Sequence, residues 1–376
     1  MRRLKKILYW IIGIIAIINI VILATGNSYL YKTFYYHAST IDDYKIFENR
    51  TVSAGKFVPI PDARNYNKLN PDITFRKILE EFKTVAFLVL KNDSVVYEEY
   101  WDDYNADSYS GSFSVAKSIV SLLVGIAIDE GNIKSVNQSV SDFIPEYKEG
   151  LNAKLTIRDL LTMTSGFDWK ESYYNPFCLT AEAYFGDDLT SIIKNLRVIE
   201  EPGYKFNYQS ANQLVLAYVL QKATGKTLSE YASEKLWKPL GAKHDALWSI
   251  DKKDGLEKAY CCFNSNARDF SRIGLLALHH GKLNDKQLVS ESYITESTKP
   301  AELKNKTVNE QYGYSWWQAN AYGEHFFYAR GILGQYIIVL PQKNMVIVRL
   351  GKKVINYNDR IPAEVIAEFS ITDFDK

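Results

Sequence analysis

Four Ser-x-x-Lys tetrads occur in the 376-residue chain, beginning at Ser53, Ser114, Ser191 and Ser249. On a helix, residues three apart share a face, so such a lysine can take the proton of the serine hydroxyl and make it a nucleophile. The spacing alone is common, and its surroundings separate the four. Ser53 lies in a polar linker, Ser249 in a charged, loop-like stretch, and Ser191 opens a helix whose Lys194 fits a solvated face. Ser114-Val115-Ala116-Lys117 instead opens a helix predicted over 114–130, whose body Ile119 to Ile128 is apolar nearly all round except for Ser121. A helix apolar on every side is buried. Burial penalises the charged form of Lys117 and lowers its pKa, as a general base requires. The free N–H groups at the start of the same helix can hold an oxyanion. The competing reading is a lysine that snorkels to the surface beside a serine that only caps.

Other chemistries find less support. The five histidines are His37, His244, His279, His280 and His325, and no G-x-S-x-G elbow accompanies them. No pair of them has zinc-ligand spacing with a glutamate, so neither a metal nor a cofactor is expected. Three cysteines without a C-x-x-C pair exclude a disulfide scaffold or a thioredoxin-like site. Cys178 could pair with Cys261 or Cys262. With 45 Lys+Arg against 44 Asp+Glu there is no field to gather polyanions, so no nucleic-acid partner is expected, and no obligate protein partner is evident.

The elements that must position Ser114 follow from hydropathy. Arg2, Arg3, Lys5 and Lys6 precede the uncharged run Ile7 to Tyr31, whose apolar heart, 7–24, is roughly 27 Å long as a helix, close to the thickness of a bilayer core. The basic residues place the remainder outside the cytoplasm. An uncleaved anchor is favoured over a signal peptide cut near Ala24-Thr25-Gly26. Residues 1–31 are thus the anchor or signal segment, 32–73 a linker or extension wrapped over the domain, and 74–376 the working domain. A helix over 75–82 leads to strands 84–90 and 95–100, and a second hairpin is predicted at 336–340 and 345–350, followed by a helix after Pro362. Helices enclosed by strands from both ends predict an α/β domain: an antiparallel sheet closed by terminal helices, with a helical subdomain beside it.

Downstream of the Ser114 tetrad come Leu155-Thr156-Ile157-Arg158-Asp159-Leu160-Leu161-Thr162-Met163-Thr164-Ser165-Gly166, then Pro202-Gly203 and Tyr208-Gln209-Ser210. In this order they resemble the serine β-lactamase and penicillin-binding-protein superfamily, in particular its class C-like branch with D-alanyl-D-alanine carboxypeptidases, esterases and 6-aminohexanoate-dimer hydrolases. The likeness covers about residues 75–370 and implies a three-layer fold. Tyr-x-Ser in place of Tyr-x-Asn is closest to 6-aminohexanoate-dimer hydrolases. The resemblance implies that Tyr208 shuttles a proton to the leaving group, although one of 27 tyrosines could simply be packed there, and that Ser210 touches Lys117 or substrate. The third motif reads Ala329-Arg330-Gly331 and lacks the usual lysine. Gly331 would let substrate approach, the Ile332 N–H would complete an oxyanion hole with that of Ser114, and Arg330 either supplies a charge or points away. Trp169, Tyr173, Trp316 and Trp317 could wall an apolar pocket, with core packing as the alternative. Glu171 echoes a deacylating glutamate of class A lactamases at the wrong distance from Ser114 and is set aside. The resulting expectation is an exported serine hydrolase acting on a small-molecule or peptide amide or ester. The alternatives are a carboxypeptidase or β-lactamase, or a non-catalytic binding ectodomain.

Overall fold

The computed structural model describes residues 2–356 and 360–375. Six strands form one antiparallel sheet: β1 Thr84–Lys91, β2 Ser94–Tyr100, β3 Trp317–Ala321, β4 Glu324–Gly331, β5 Gln335–Leu340 and β6 Met345–Gly351. Their spatial order is β3-β4-β5-β6-β1-β2. Both hairpins expected from the sequence are present. Asn92 and Asp93 turn the first with φ of 49° and 62°, the left-handed pair that matches strand twist. The seam of the sheet joins the two halves of the chain, with Val346 opposite Leu90 and Val348 opposite Leu88.

Alternation along the strands separates two apolar layers. Leu88, Leu90, Ile337, Val339 and Val348 share a core with Ile119 and Leu123 of the helix that follows Ser114. Phe87, Val89, Tyr336, Ile338 and Ile347 face the other way. There they meet Phe75 and Leu79 of one terminal helix and Ile366 and Ala367 of the other. The helices concerned are α3 Ile73–Glu81, α4 Val115–Asp129, α7 Ala267–Leu278 and α8 Pro362–Phe374, so the expected three layers form. A Cβ on Gly274 of α7 would lie 2.4 Å from Val346 Cγ1, which brings that helix hard against β6. The helical subdomain beside the sheet includes α5 Leu179–Phe185 and α6 Ala211–Thr224. A short helix, Ile157–Leu161, is started by a Thr156/Asp159 capping box and packs beside α6.

Toward the N-terminus, α1 Arg2–Ala24 is long and apolar enough to cross a membrane. It is followed by α2 Tyr29–Tyr36. Within residues 32–73, Asn49–Val52 pairs with Ala246–Ser249, opening a second, four-stranded sheet that continues through Phe263–Ser265 to Ser110–Gly111. Ser249 is therefore a buried strand residue and not part of a charged loop, its hydroxyl bonded to Asn49 at 2.8 Å. Residues 59–67 are pinned to β2 by Glu98, which accepts from Tyr66 Oη at 2.6 Å and from Arg268 Nε at 2.8 Å.

Candidate active site

The small sheet delivers Ser114. Ser110 and Gly111 pair with Ser265 and Asn264, Ser112 N–H donates to the Phe263 carbonyl at 2.9 Å, and the chain then turns through Phe113 at φ 46°. A left-handed non-glycine residue costs on the order of 1–3 kcal/mol and persists only where its surroundings hold it. The turn leaves half-buried Ser114 at the head of α4, with no side-chain capping bond of its own.

One turn along, Lys117 is 1% exposed and does not snorkel to the surface. Its Nζ lies 2.9 Å from Ser114 Oγ, 2.7 Å from the Tyr260 carbonyl and 3.5 Å from Ser210 Oγ. The rings of Tyr208 and Tyr260 stand 5.2 and 5.6 Å from the amine. Burial among these groups lowers the Lys117 pKa from 10.5 to about 8, against the opposing pull of Glu171. Burial raises the Tyr208 pKa, and the Ser114 hydroxyl pulls it the other way.

Glu171 belongs to this site in spite of its sequence distance. Ser210 donates both its N–H and its Oγ–H to the Glu171 carboxylate, each at 2.7 Å, so a lone pair of Ser210 Oγ remains for Lys117. Trp169 is buried and its indole N–H donates to Glu171 at 2.8 Å; it supports the carboxylate and does not wall a pocket. Gln209 holds the same loop from below, donating to the carbonyls of Phe167 at 3.0 Å and Trp169 at 2.6 Å. The loop, α6 and α4 are thereby tied together around one amine. Tyr260 and Gln209 escaped the sequence reading as site residues, and Glu171 was singled out there only to be set aside. For Gln209 the one signal was its place in the middle of Tyr208-Gln209-Ser210.

Gly331 at the end of β4 makes a close contact within the protein. A Cβ there would sit 2.3 Å from the Ser112 carbonyl, so the glycine lets β4 close on the segment that carries Ser114. The following turn, Ile332–Gly334, is braced by buried Arg349, which donates to the carbonyls of Leu333 at 2.8 Å and Gly334 at 2.7 Å. The exposed Arg330 guanidinium lies 5.6 Å from the Trp317 ring, and Trp317 packs 5.3 Å from Tyr208. The Arg330 charge favours the ionised form of Tyr208. Trp316 is wholly buried against Phe327 and is core.

A cavity of about 250 Å³ opens beside Ser114, with Ile332, Ser210, Tyr260 and Tyr173 among its lining residues. Cys261, also on its wall, is bonded to its chain neighbour Cys262. Cys178 pairs with neither: it is free, and its thiol donates to the Asn175 carbonyl at 3.0 Å.

A half-buried serine bonded to a buried, neutralisable lysine, mounted on this three-layer frame, places the protein among the serine hydrolases. More narrowly, the chain belongs to the Beta-lactamase family, whose profile matches residues 74–368. It is 30% identical over 305 residues to the 6-aminohexanoate-dimer hydrolase of Paenarthrobacter ureafaciens, covering 75% of each chain. It is 25% identical over 234 residues to an Escherichia coli O157:H7 protein provisionally assigned as a D-alanyl-D-alanine carboxypeptidase, covering 54% of this chain and 53% of that one. A Bacillus anthracis structure, provisionally assigned as a 6-aminohexanoate-dimer hydrolase, superposes with a TM-score of 0.75 at 23% identity, covering 88% of this chain and 91% of the other, and shares the fold.

Proposed function

We propose that this protein is a membrane-anchored hydrolase that cleaves a small amide, ester or peptide bond outside the cytoplasm through an acyl-enzyme on Ser114. The observation that carries the reading is the 2.9 Å approach of a buried Lys117 amine to the Ser114 hydroxyl. Ser114 Oγ attacks the substrate carbonyl carbon while its proton passes to Lys117 Nζ. The carbonyl electron pair moves onto oxygen, where the N–H groups of Ser114 and Ile332 hold it. Collapse breaks the bond to the leaving nitrogen or oxygen, which takes a proton from Tyr208 Oη, and Tyr208 recovers one from Lys117. Water then attacks the acyl ester, gives its proton to the same relay and releases the acid with Ser114 restored. Ser210, Tyr173, Trp317, Arg330 and the edge at Gly331 contact the substrate. These steps call for no metal or cofactor.

A screen of neutral esters, amides, D-amino-acid peptides and penicillins tests the substrate class. Turnover is expected with an ester or amide and should be poor with penicillins, because Ala329-Arg330-Gly331 lacks the lysine that helps hold a β-lactam carboxylate. Penicillin turnover at a kcat/KM of about 10⁴–10⁸ M⁻¹s⁻¹ with esters and amides inert would refute the assignment.

The anchor reading rests on α1 and the four basic residues ahead of its apolar run. Protease added to intact spheroplasts is expected to digest the domain. Full protection behind a sealed membrane would reverse the topology.

A further inference from the structure

The cavity beside Ser114 has an unusual wall. Thr33, Phe34 and His37 line it, and all belong to α2 or its C-terminal cap, only nine to thirteen residues beyond the end of α1. The two helices are also joined directly. Tyr31 Oη donates to Asn19 Oδ1 at 2.7 Å, and Asn19 lies five residues inside α1, roughly 7 Å below its outer end. Ile22 packs against the main core from the same end. If α1 spans a bilayer, α2 lies at headgroup depth, and so does the wall it provides.

The surface around that wall suits such a place. Tyr31, Phe34, Tyr35 and Tyr36 of α2 are exposed, Tyr35 at 76%, and Lys32 is the only charged residue of the helix. Across the cavity the loop after Tyr173 exposes Tyr174 at 96% and Phe177 at 68%, and Phe177 meets Phe34 edge to face at 6.2 Å. Aromatic side chains gathered at one level of a membrane protein mark the lipid–water boundary. Phe113, Ala181, Tyr184, Phe185 and Ile332 form the apolar part of the cavity wall, and Ser39, Ser172, Asn175 and Thr180 are among its polar residues. At about 250 Å³ it falls below the roughly 300–1,000 Å³ of pockets that enclose a whole ligand. It has room for one arm of a substrate, with the remainder outside.

We propose that this cavity takes the hydrocarbon arm of an amphiphilic ester or amide presented from the membrane surface. The proposal rests on Ser114 as nucleophile and on α1 as an uncleaved anchor, and adds the substrate's chemistry and its route of entry. The apolar arm enters between α2 and the 173–177 loop, and the scissile carbonyl comes to rest at Ser114 while any polar group stays in the headgroup layer.

The full chain, reconstituted in phosphatidylcholine vesicles, is assayed with two ester series. In p-nitrophenyl esters from acetyl to decanoyl the chain is on the acyl side; in alkyl thioacetates from ethyl to decyl it is on the leaving side. Each methylene that becomes fully buried is worth about fourfold, so kcat/KM is expected to rise at least about tenfold along one series. Ala181→Phe, which fills the cavity, should flatten that rise. A p-nitrophenyl palmitate preloaded into the enzyme's own vesicles should be cleaved faster than the same amount in empty vesicles mixed in. Flat or falling profiles in both series overturn the hydrocarbon arm, and equal rates from the two vesicle populations overturn delivery from the membrane. Two controls separate these results from failure of the underlying reading. A fluorophosphonate label on Ser114 reports the nucleophile, and flotation of the protein with the vesicles reports the anchor.

Discussion

Ser114→Ala is expected to lower kcat by a factor of about 10⁴–10⁶ and to abolish labelling by a fluorophosphonate, which on the native protein should add once per chain. The loss should be chemical and not structural. Ser114 makes no capping bond, and Lys117 keeps the Tyr260 carbonyl at 2.7 Å when the hydroxyl is gone. The stability cost should therefore fall near the low end of cap removal, about 0.5 kcal/mol. Peptide mapping checks the site of labelling, and thermal unfolding checks the fold. A Ser114→Ala/Lys117→Ala double variant should be little worse than either single one, since the two side chains act as a unit. Unchanged hydrolysis in Ser114→Ala would remove the nucleophile assignment, and a label on Ser191 would show that another helix carries the chemistry.

The second large effect is in pH. Lys117 serves as the base only when neutral, and burial lowers its pKa to about 8. The neutral fraction is then about one-tenth at pH 7 and nine-tenths at pH 9, so kcat/KM should rise about tenfold between them. Tyr208, raised by burial, stays protonated across that window. Glu171 pulls in the opposite direction to burial, raising the Lys117 value. Glu171→Gln removes that charge and should move the inflection to lower pH. Lys117→Ala should slow acylation severely and erase the inflection. An inflection that survives Lys117→Ala, or a rate that falls as pH rises through this range, would show that another group is the base.

The apolar texture of Ile119 to Ile128 was enough to bury α4, and a buried helix with Lys117 one turn from its first residue already implies a depressed pKa. The two hairpins were legible for a similar reason: alternation and turn residues are local, and the six-stranded sheet inherits both faces from them. Glu171 shows where such reading stops. Nothing near it in the chain says that it will meet Ser210, thirty-nine residues on, because the meeting depends on Gln209 tethering an irregular loop through two carbonyls. Trp169 failed for the same reason, its place being decided by that carboxylate.

By itself the sequence determined the pairing of Ser114 with Lys117 at the head of a buried helix, the core layers and a hydrophobic helix of bilayer length, since each follows from residue types repeating at short, regular spacing. Only the tertiary structure decided what surrounds the amine and what walls the cavity. Ser110–Gly111 and Phe263–Ser265 are too short to show a pattern, yet they pair just ahead of Ser114, and the Tyr260 carbonyl accepts from Lys117 one turn further on. Cys261 bonds to Cys262 while Cys178 stays free. The Tyr31–Asn19 contact, which brings α2 back along α1, joins side chains on two separate helices. Such contacts form only when the whole chain has folded around the groups that make them, and nearness along the sequence does not say which groups will meet.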